Sequence, residues 1–324
     1  MKWILRIVVL LIALIAIVIV AGCAYQSIAE SNEARTYPPP GNLIDVGGYK
    51  LHLHCIGEGT PTVILDAAFP AQVSNWVWVQ PQIAKTARVC SYDRAGHGWS
   101  DLGPEPRDAK QQARELKTLL EKANEKGPFV LVGHSLGGLY VREFADMFPD
   151  QVAGMVLIEG SHPDAWKRQN MTEGVGVDAG MLNVAPLLAR GGFFRTGLFP
   201  VPKADAALPE QQRNEEQAYF NSVKYFENLH AVNHSFSAAL QQVRETRDLG
   251  DKPLAIVVGT ASENFQGVAR ELQEDLLKLS TNSAFISVDG ATHSGLVDDE
   301  RFADETANAI LAVVDAVRTG QSFK

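Results

Sequence analysis

The run Phe129-Val130-Leu131-Val132-Gly133-His134-Ser135-Leu136-Gly137-Gly138 limits what this chain can fold into more than any other stretch. Its first four residues are apolar and β-rich, as in a strand buried on both faces, and Leu136 to Met147 carries helical spacing. Gly133-x-Ser135-x-Gly137 must therefore turn a strand into a helix within a few residues. Glycines on either side leave room in so crowded a turn, and the serine hydroxyl is thrown clear of the backbone. The helix N-terminus beneath it favours developing negative charge. Such a serine is a candidate nucleophile; the alternative is an idle serine in a Gly-rich turn.

Similar runs recur along the chain. Asn42 to Val46 and Tyr49 to Ile56, joined at Gly47-Gly48, read as an opening hairpin, in which Leu51, His52, Leu53 and His54 alternate as in a half-buried strand. Val63 to Asp66, Ala87 to Tyr92, Ala153 to Ile158, Leu254 to Val258 and Ala284 to Val288 read as further strands. Ser74 to Lys85, Asp108 to Lys126, Gly267 to Leu279 and Ala303 to Val317 read as helices. Strands alternating with helices predict an α/β fold with a mostly parallel sheet. About 165–251 breaks the alternation: connections of this kind run ~2 to 6 residues, so this stretch, mostly helical with Gly-rich turns at 174–180 and 191–192, is expected to be an inserted cap.

Two more motifs accompany the serine turn. Ser91-Tyr92-Asp93-Arg94-Ala95-Gly96-His97-Gly98-Trp99-Ser100 resembles the loop after the fourth strand of α/β-hydrolases in the esterase and epoxide-hydrolase-like branch, and Gly290-Ala291-Thr292-His293 resembles their histidine loop. With Gly133 to Gly138, the chain resembles that superfamily over nearly everything after residue 41. The resemblance implies a mostly parallel sheet, flanking helices and a helical cap after the sixth strand. It also implies an acyl-enzyme formed on Ser135, with no cofactor and no metal. A serine at position 135 excludes the alkyl-enzyme chemistry of epoxide hydrolases and dehalogenases, which use aspartate there.

A serine hydroxyl needs a base, and the chain has eight histidines. His293 stands where the resemblance implies the general base. His134 lies in the turn itself and is expected to point elsewhere. His52 and His54 belong to the opening strands, His97 to its own loop, and His162, His230 and His234 lie near or in the cap. The carboxylate that orients the base is Glu159, directly ending the sixth strand, or Glu263, several residues beyond the seventh. Glu159 is favoured because its strand sets its register. Asp289 suits a turn role better. The oxyanion hole is expected from the amides of Leu136 and Phe69, the latter in Leu65-Asp66-Ala67-Ala68-Phe69-Pro70, where Ala67-Ala68 replaces the family's His-Gly.

The N-terminus is of a different material. Lys2 and Arg6 precede an unbroken apolar run, Ile7 to Ala24, about the ~17 to 25 residues that a bilayer crossing needs. Positive charge stays inside, which would put the body on the extracytoplasmic side. Residues 1–24 are expected to be a retained anchor, residues 25–41 a stalk, and residues 42–324 the catalytic domain, active without anything before about Arg35. A lipoprotein signal ending at Cys23 and a cleaved signal are the alternatives. Cys55 and Cys90 are expected to be buried thiols, with a bridge between them as the alternative if their strands are neighbours. A net charge of −9 with no basic cluster argues against a nucleic-acid partner.

The expected substrate is a small ester with an apolar group, suggested by Phe193-Phe194, Leu198-Phe199 and Tyr219-Phe220 in the cap. Amidase, thioesterase, carbon–carbon hydrolase and cofactor-free haloperoxidase chemistry share the same triad. A non-catalytic binding protein on this fold is the contrasting class.

Overall fold

In the computed structural model, which describes residues 2–175 and 179–323, the strands are Asn42–Asp45 (β1), Lys50–Ile56 (β2), Val63–Asp66 (β3), Val89–Tyr92 (β4), Phe129–His134 (β5), Val152–Ile158 (β6), Leu254–Gly259 (β7) and Ser283–Val288 (β8). They form one sheet in the order β1-β2-β4-β3-β5-β6-β7-β8. β1, β2 and β4 pair antiparallel at one edge; every other pairing is parallel. The continuous apolar strands lie in the middle because both faces there are covered. Alternate residues feed two cores. Val63, Leu65, Val130, Val132, Val156 and Ile158 face one way; Ile64, Leu131, Met155 and Leu157 face the other.

The helices are Lys2–Thr36 (α1), Val79–Ala84 (α2), Ala109–Lys122 (α3), Gly137–Met147 (α4), Ala165–Arg168 (α5), Ala179–Arg190 (α6), Glu210–Phe220 (α7), Val223–Arg244 (α8), Gly267–Asp275 (α9), Gly295–Asp298 (α10) and Glu300–Thr319 (α11). α2 and α11 cover one face of the sheet, α3 and α4 the other. The helix expected at Ser74 to Lys85 is two pieces, a 3-10 turn at Val73–Val77 and then α2. Pro81 accounts for the break, since its ring clashes with the carbonyl four residues earlier. Cys55 and Cys90 are not the free thiols expected: they sit opposite each other on the neighbouring strands β2 and β4 and form a disulfide.

Two segments differ from expectation. Residues 25–36 are no loose stalk but the continuation of α1, laid against the cap. Gln26 is buried and donates to Asn221 O (2.9 Å). Arg195 forks onto Glu33 with two bonds of 2.6 Å, and the Val223 amide at the start of α8 donates to Glu30 Oε1 (2.7 Å). These polar partners appear where the apolar run ends, so the helix has a reason to continue. Within the cap, α5 to α8 lie between β6 and β7, while the expected Gly-rich turn at 174–180 falls partly on 176–178, outside the described residues. Phe194, Tyr219 and Phe220 pack with Phe226 and Tyr225 as the cap's own core and do not line the cavity beside Ser135, and the Phe194 and Phe226 rings stack at 3.9 Å.

Candidate active site

Ser135 follows β5 with φ +53°, a left-handed conformation that a non-glycine residue rarely adopts and that turns the side chain out of the strand. Neighbouring glycines permit it. A Cβ on Gly133 would come within 2.7 Å of Gly138 Cα, and one on Gly137 within 2.4 Å of Asp66 O. The second contact presses the serine turn against the loop after β3. The amides of Leu136 and Phe69 lie on these two apposed segments, and among the described residues neither is taken up by another acceptor.

Arg94 braces the β3 loop from behind. It pairs with Asp66 in the core and donates to Ala67 O (2.6 Å) and Ala68 O (3.0 Å). Tyr92 Oη donates to the other oxygen of Asp66 (2.6 Å). The loop, in which Ala67-Ala68 replaces the family's His-Gly, therefore gets its shape from a buried cation holding its carbonyls.

Glu159 ends β6 with φ +41° and is buried. Its Oε2 lies 2.6 Å from His293 Nδ1, which follows β8. The same carboxylate accepts from Asn264 Nδ2 (2.6 Å), Ser262 Oγ (2.8 Å) and the Gly259 amide (2.9 Å). Burial alone would raise its pKa; the bond from His293 and its charge, then Asn264 and the Gly259 amide, overcome this and hold it below the usual glutamate range. An ionised carboxylate only accepts, so Nδ1 carries the proton of this bond and Nε2 is the nitrogen left to act as base.

Glu263, the alternative acid, is exposed at the start of a 3-10 turn and reaches only the rim of the cavity. The next residue, Asn264, takes the place beside the imidazole and lies 3.4 Å from Nδ1. Asp289 accepts from Thr260 Oγ1 (2.9 Å), tying the loop after β8 to the loop after β7, and does not take the turn role expected of it. His134 has a part that its sequence position did not reveal: its Nε2 donates to His293 O (3.1 Å), holding the histidine loop. Burial, with the charge of His293 adding to it, pushes His134 down to about 3, so it stays neutral. Nothing local marks that contact, which spans 159 positions.

Of the remaining histidines, His52 pairs with Asp93 (2.9 Å) in the core, and His97 contacts Arg94 and Asn228, both at 3.2 Å. His162 lines the cavity, and burial lowers it to about 4. Ser135, Glu159 and His293 border a cavity of about 330 Å³ whose other walls include Trp166, Met171, Leu272 and Gln273. The structure records no hydrogen bond between Ser135 Oγ and the imidazole among the described residues, and unliganded sites are often loose in this way.

The chain belongs to the alpha/beta hydrolase family, whose model matches residues 51–305. Among curated relatives, the uncharacterised protein YbdG of Bacillus subtilis (strain 168) is 22% identical over 260 residues, covering 78% of this chain and 79% of that one. Several other curated relatives are far longer, and the chain spans only 20 to 21% of their length. Among solved structures, haloalkane dehalogenase DbeA from Bradyrhizobium elkani USDA94 aligns with a TM-score of 0.64 at 17% identity, covering 85% of this chain and 98% of that one. A membrane phospholipase A described as a bacterial virulence factor aligns at 0.59 and 20% identity, covering 98% and 99%. At such identities these structures speak for the fold.

Proposed function

We propose that this hydrolase cleaves carboxylic esters through an acyl-enzyme on Ser135. The observation that carries the proposal is the 2.6 Å contact of His293 Nδ1 with the buried Glu159 carboxylate, in a cavity that Ser135 also borders. His293 Nε2 takes the Ser135 proton as Oγ attacks the ester carbonyl, and Glu159 stabilises the imidazolium that forms. The amides of Leu136 and Phe69 receive the oxyanion. Collapse of the tetrahedral adduct expels the alcohol, which takes the proton from His293. Water then attacks the acyl-enzyme with His293 again acting as base, releasing the acid and restoring the serine.

Trp166, Met171 and Leu272 offer the substrate's apolar group a wall, in place of the cap aromatics. The N-terminal helix is long and apolar enough to cross a membrane, and the grip of its continuation on the cap supports its retention there. The Cys55–Cys90 disulfide supports an oxidising, extracytoplasmic side for the body. The test is fluorophosphonate labelling with hydrolysis of p-nitrophenyl esters of rising chain length. Wild type labels and turns over, and Ser135→Ala does neither while keeping its fold. Activity above a few per cent in Ser135→Ala would sink the nucleophile assignment.

A further inference from the structure

α6 is apolar on both of its sides. Leu182, Ala185 and Ala189 are buried in the cap core, yet on the outer side Val184 and Leu187 stand 46% and 69% exposed, and Leu198 beyond the next turn is 78% exposed. Beside the exposed Asn183 and Arg190, α6 thus leaves large apolar side chains in water, and a patch of this kind marks an interaction surface.

What covers that surface follows from where α1 meets it. A Cβ on Gly22 would fall 2.2 Å from Gly191 O, and one on Gly192 would lie 3.4 Å from the Tyr25 ring. Backbone and ring thus touch α1 at the C-terminal end of α6. Gly22 lies within the apolar run Ile7–Ala24, only about 3 Å of helix rise from its end. The run itself is roughly 27 Å long, against a hydrocarbon layer of ~30 Å. Trp3 and Tyr25, both exposed, bracket it as interfacial aromatics do. The contact between α1 and the cap therefore falls at the boundary of the bilayer.

Nor can the cap swing away, because Glu33 and Gln26 of α1 grip Arg195, and Glu30 holds the start of α8. We infer that the outer face of α6 and the turn at Leu198 seat in the interfacial layer of the membrane that α1 crosses, so that the body rests on lipid and does not hang from a flexible tether. This rests on reading α1 as a span. Lipid is the fitting occupant because the exposed patch continues directly from the lipid-facing surface of α1.

The experiment uses the full chain in phosphatidylcholine vesicles, with Cys23→Ser removing the free thiol; Cys55 and Cys90 are bonded to each other. Single cysteines at Leu10, Leu187, Leu198 and Lys278 carry an environment-sensitive fluorophore, and nitroxide-bearing lipids act as quencher. Leu10, Leu187 and Leu198 are expected to lose at least half of their emission, and Lys278, whose side chain is 80% exposed, almost none. Quenching at Leu10 with Leu187 and Leu198 behaving like Lys278 overturns the seating and leaves the span intact. No quenching at Leu10 removes the span, and the seating with it. A concentration-dependent blue shift at Leu187 that lipid quenchers do not touch gives the face to a second copy and also overturns the inference.

Discussion

His293 Nδ1 and Glu159 Oε2 stand 2.6 Å apart although 134 positions separate them in the chain. The pairing joins the end of β6 to the loop after β8, with β7 between them, and β7's own loop adds Ser262 and Asn264 to the carboxylate. Three strand ends thus converge on one carboxylate beside the serine turn of β5.

Glu159→Gln should lower kcat by about 10³- to 10⁴-fold with little change in KM, because a neutral amide cannot stabilise the imidazolium of the transition state. Glu263→Gln should stay within about twofold of wild type, the range of an exposed side chain that does not touch the base. Steady-state kinetics on a p-nitrophenyl ester decide the matter. A mild Glu159 variant beside a dead Glu263 variant reverses the assignment.

Asn264→Asp would set a second carboxylate beside Glu159, where Asn264 Nδ2 now donates at 2.6 Å. Two like charges at that distance disfavour ionisation, so the pair titrates higher than Glu159 does alone. The added negative charge also favours the imidazolium, so the acid limb of kcat/KM should move to higher pH, by about one unit. An unmoved limb would reduce Asn264 to a packing residue. Asn264→Ala tests the donor alone and should lower kcat by about tenfold or less, the loss expected for one hydrogen bond to a charged group.

A chain starting at Tyr25 keeps the grip of α1 on the cap; one starting at Gly41 leaves Arg195 and the Val223 amide without their partners. Losing a partly buried ion pair and a helix-end acceptor should cost about 2 kcal/mol or more, lowering Tm by roughly 3 °C or more in a chain of this size. Equal melting temperatures for the two chains would make residues 25–36 a passive linker after all.

Asp298 is buried at the join between cap and body, where Asn75 Nδ2 donates both to it (3.1 Å) and to Glu216 (3.0 Å), with Asp205 close by. Burial first, then the charges of Glu216 and Asp205, raise its pKa well above the ordinary value. A carboxyl raised on folding contributes stability that is fully present below its unfolded pKa and is lost as pH rises through its folded pKa. Asp298→Asn keeps the acceptor for Asn75 and removes the titration. The Tm of the variant minus that of wild type should therefore grow between pH 5 and pH 8, and thermal melts showing a constant difference would refute it.

The nucleophile turn was legible because strand, turn and helix are consecutive, so Gly133, Ser135 and Gly137 announce it locally. The same holds for β3, β5, β6 and β7, whose apolar runs are their own signature. Glu159 could be weighed against Glu263 only by register. The structure separates them because β6 leads straight into Glu159, while the loop after β7 turns Asn264 inward and leaves Glu263 in solvent.

The sequence by itself determined the α/β class and the candidate nucleophile, because each follows from periodicity or from contiguous residues, while the candidate base came from the resemblance of its loop to that of α/β-hydrolases. Only the tertiary structure decided that the helix beyond Ala24 continues and clamps the cap, that Arg94 shapes the β3 loop, and that His134 holds the carbonyl of His293. The physical reason is the same in each case. These are polar contacts between residues far apart in the chain, and their strength depends on burial that no local window of residues contains.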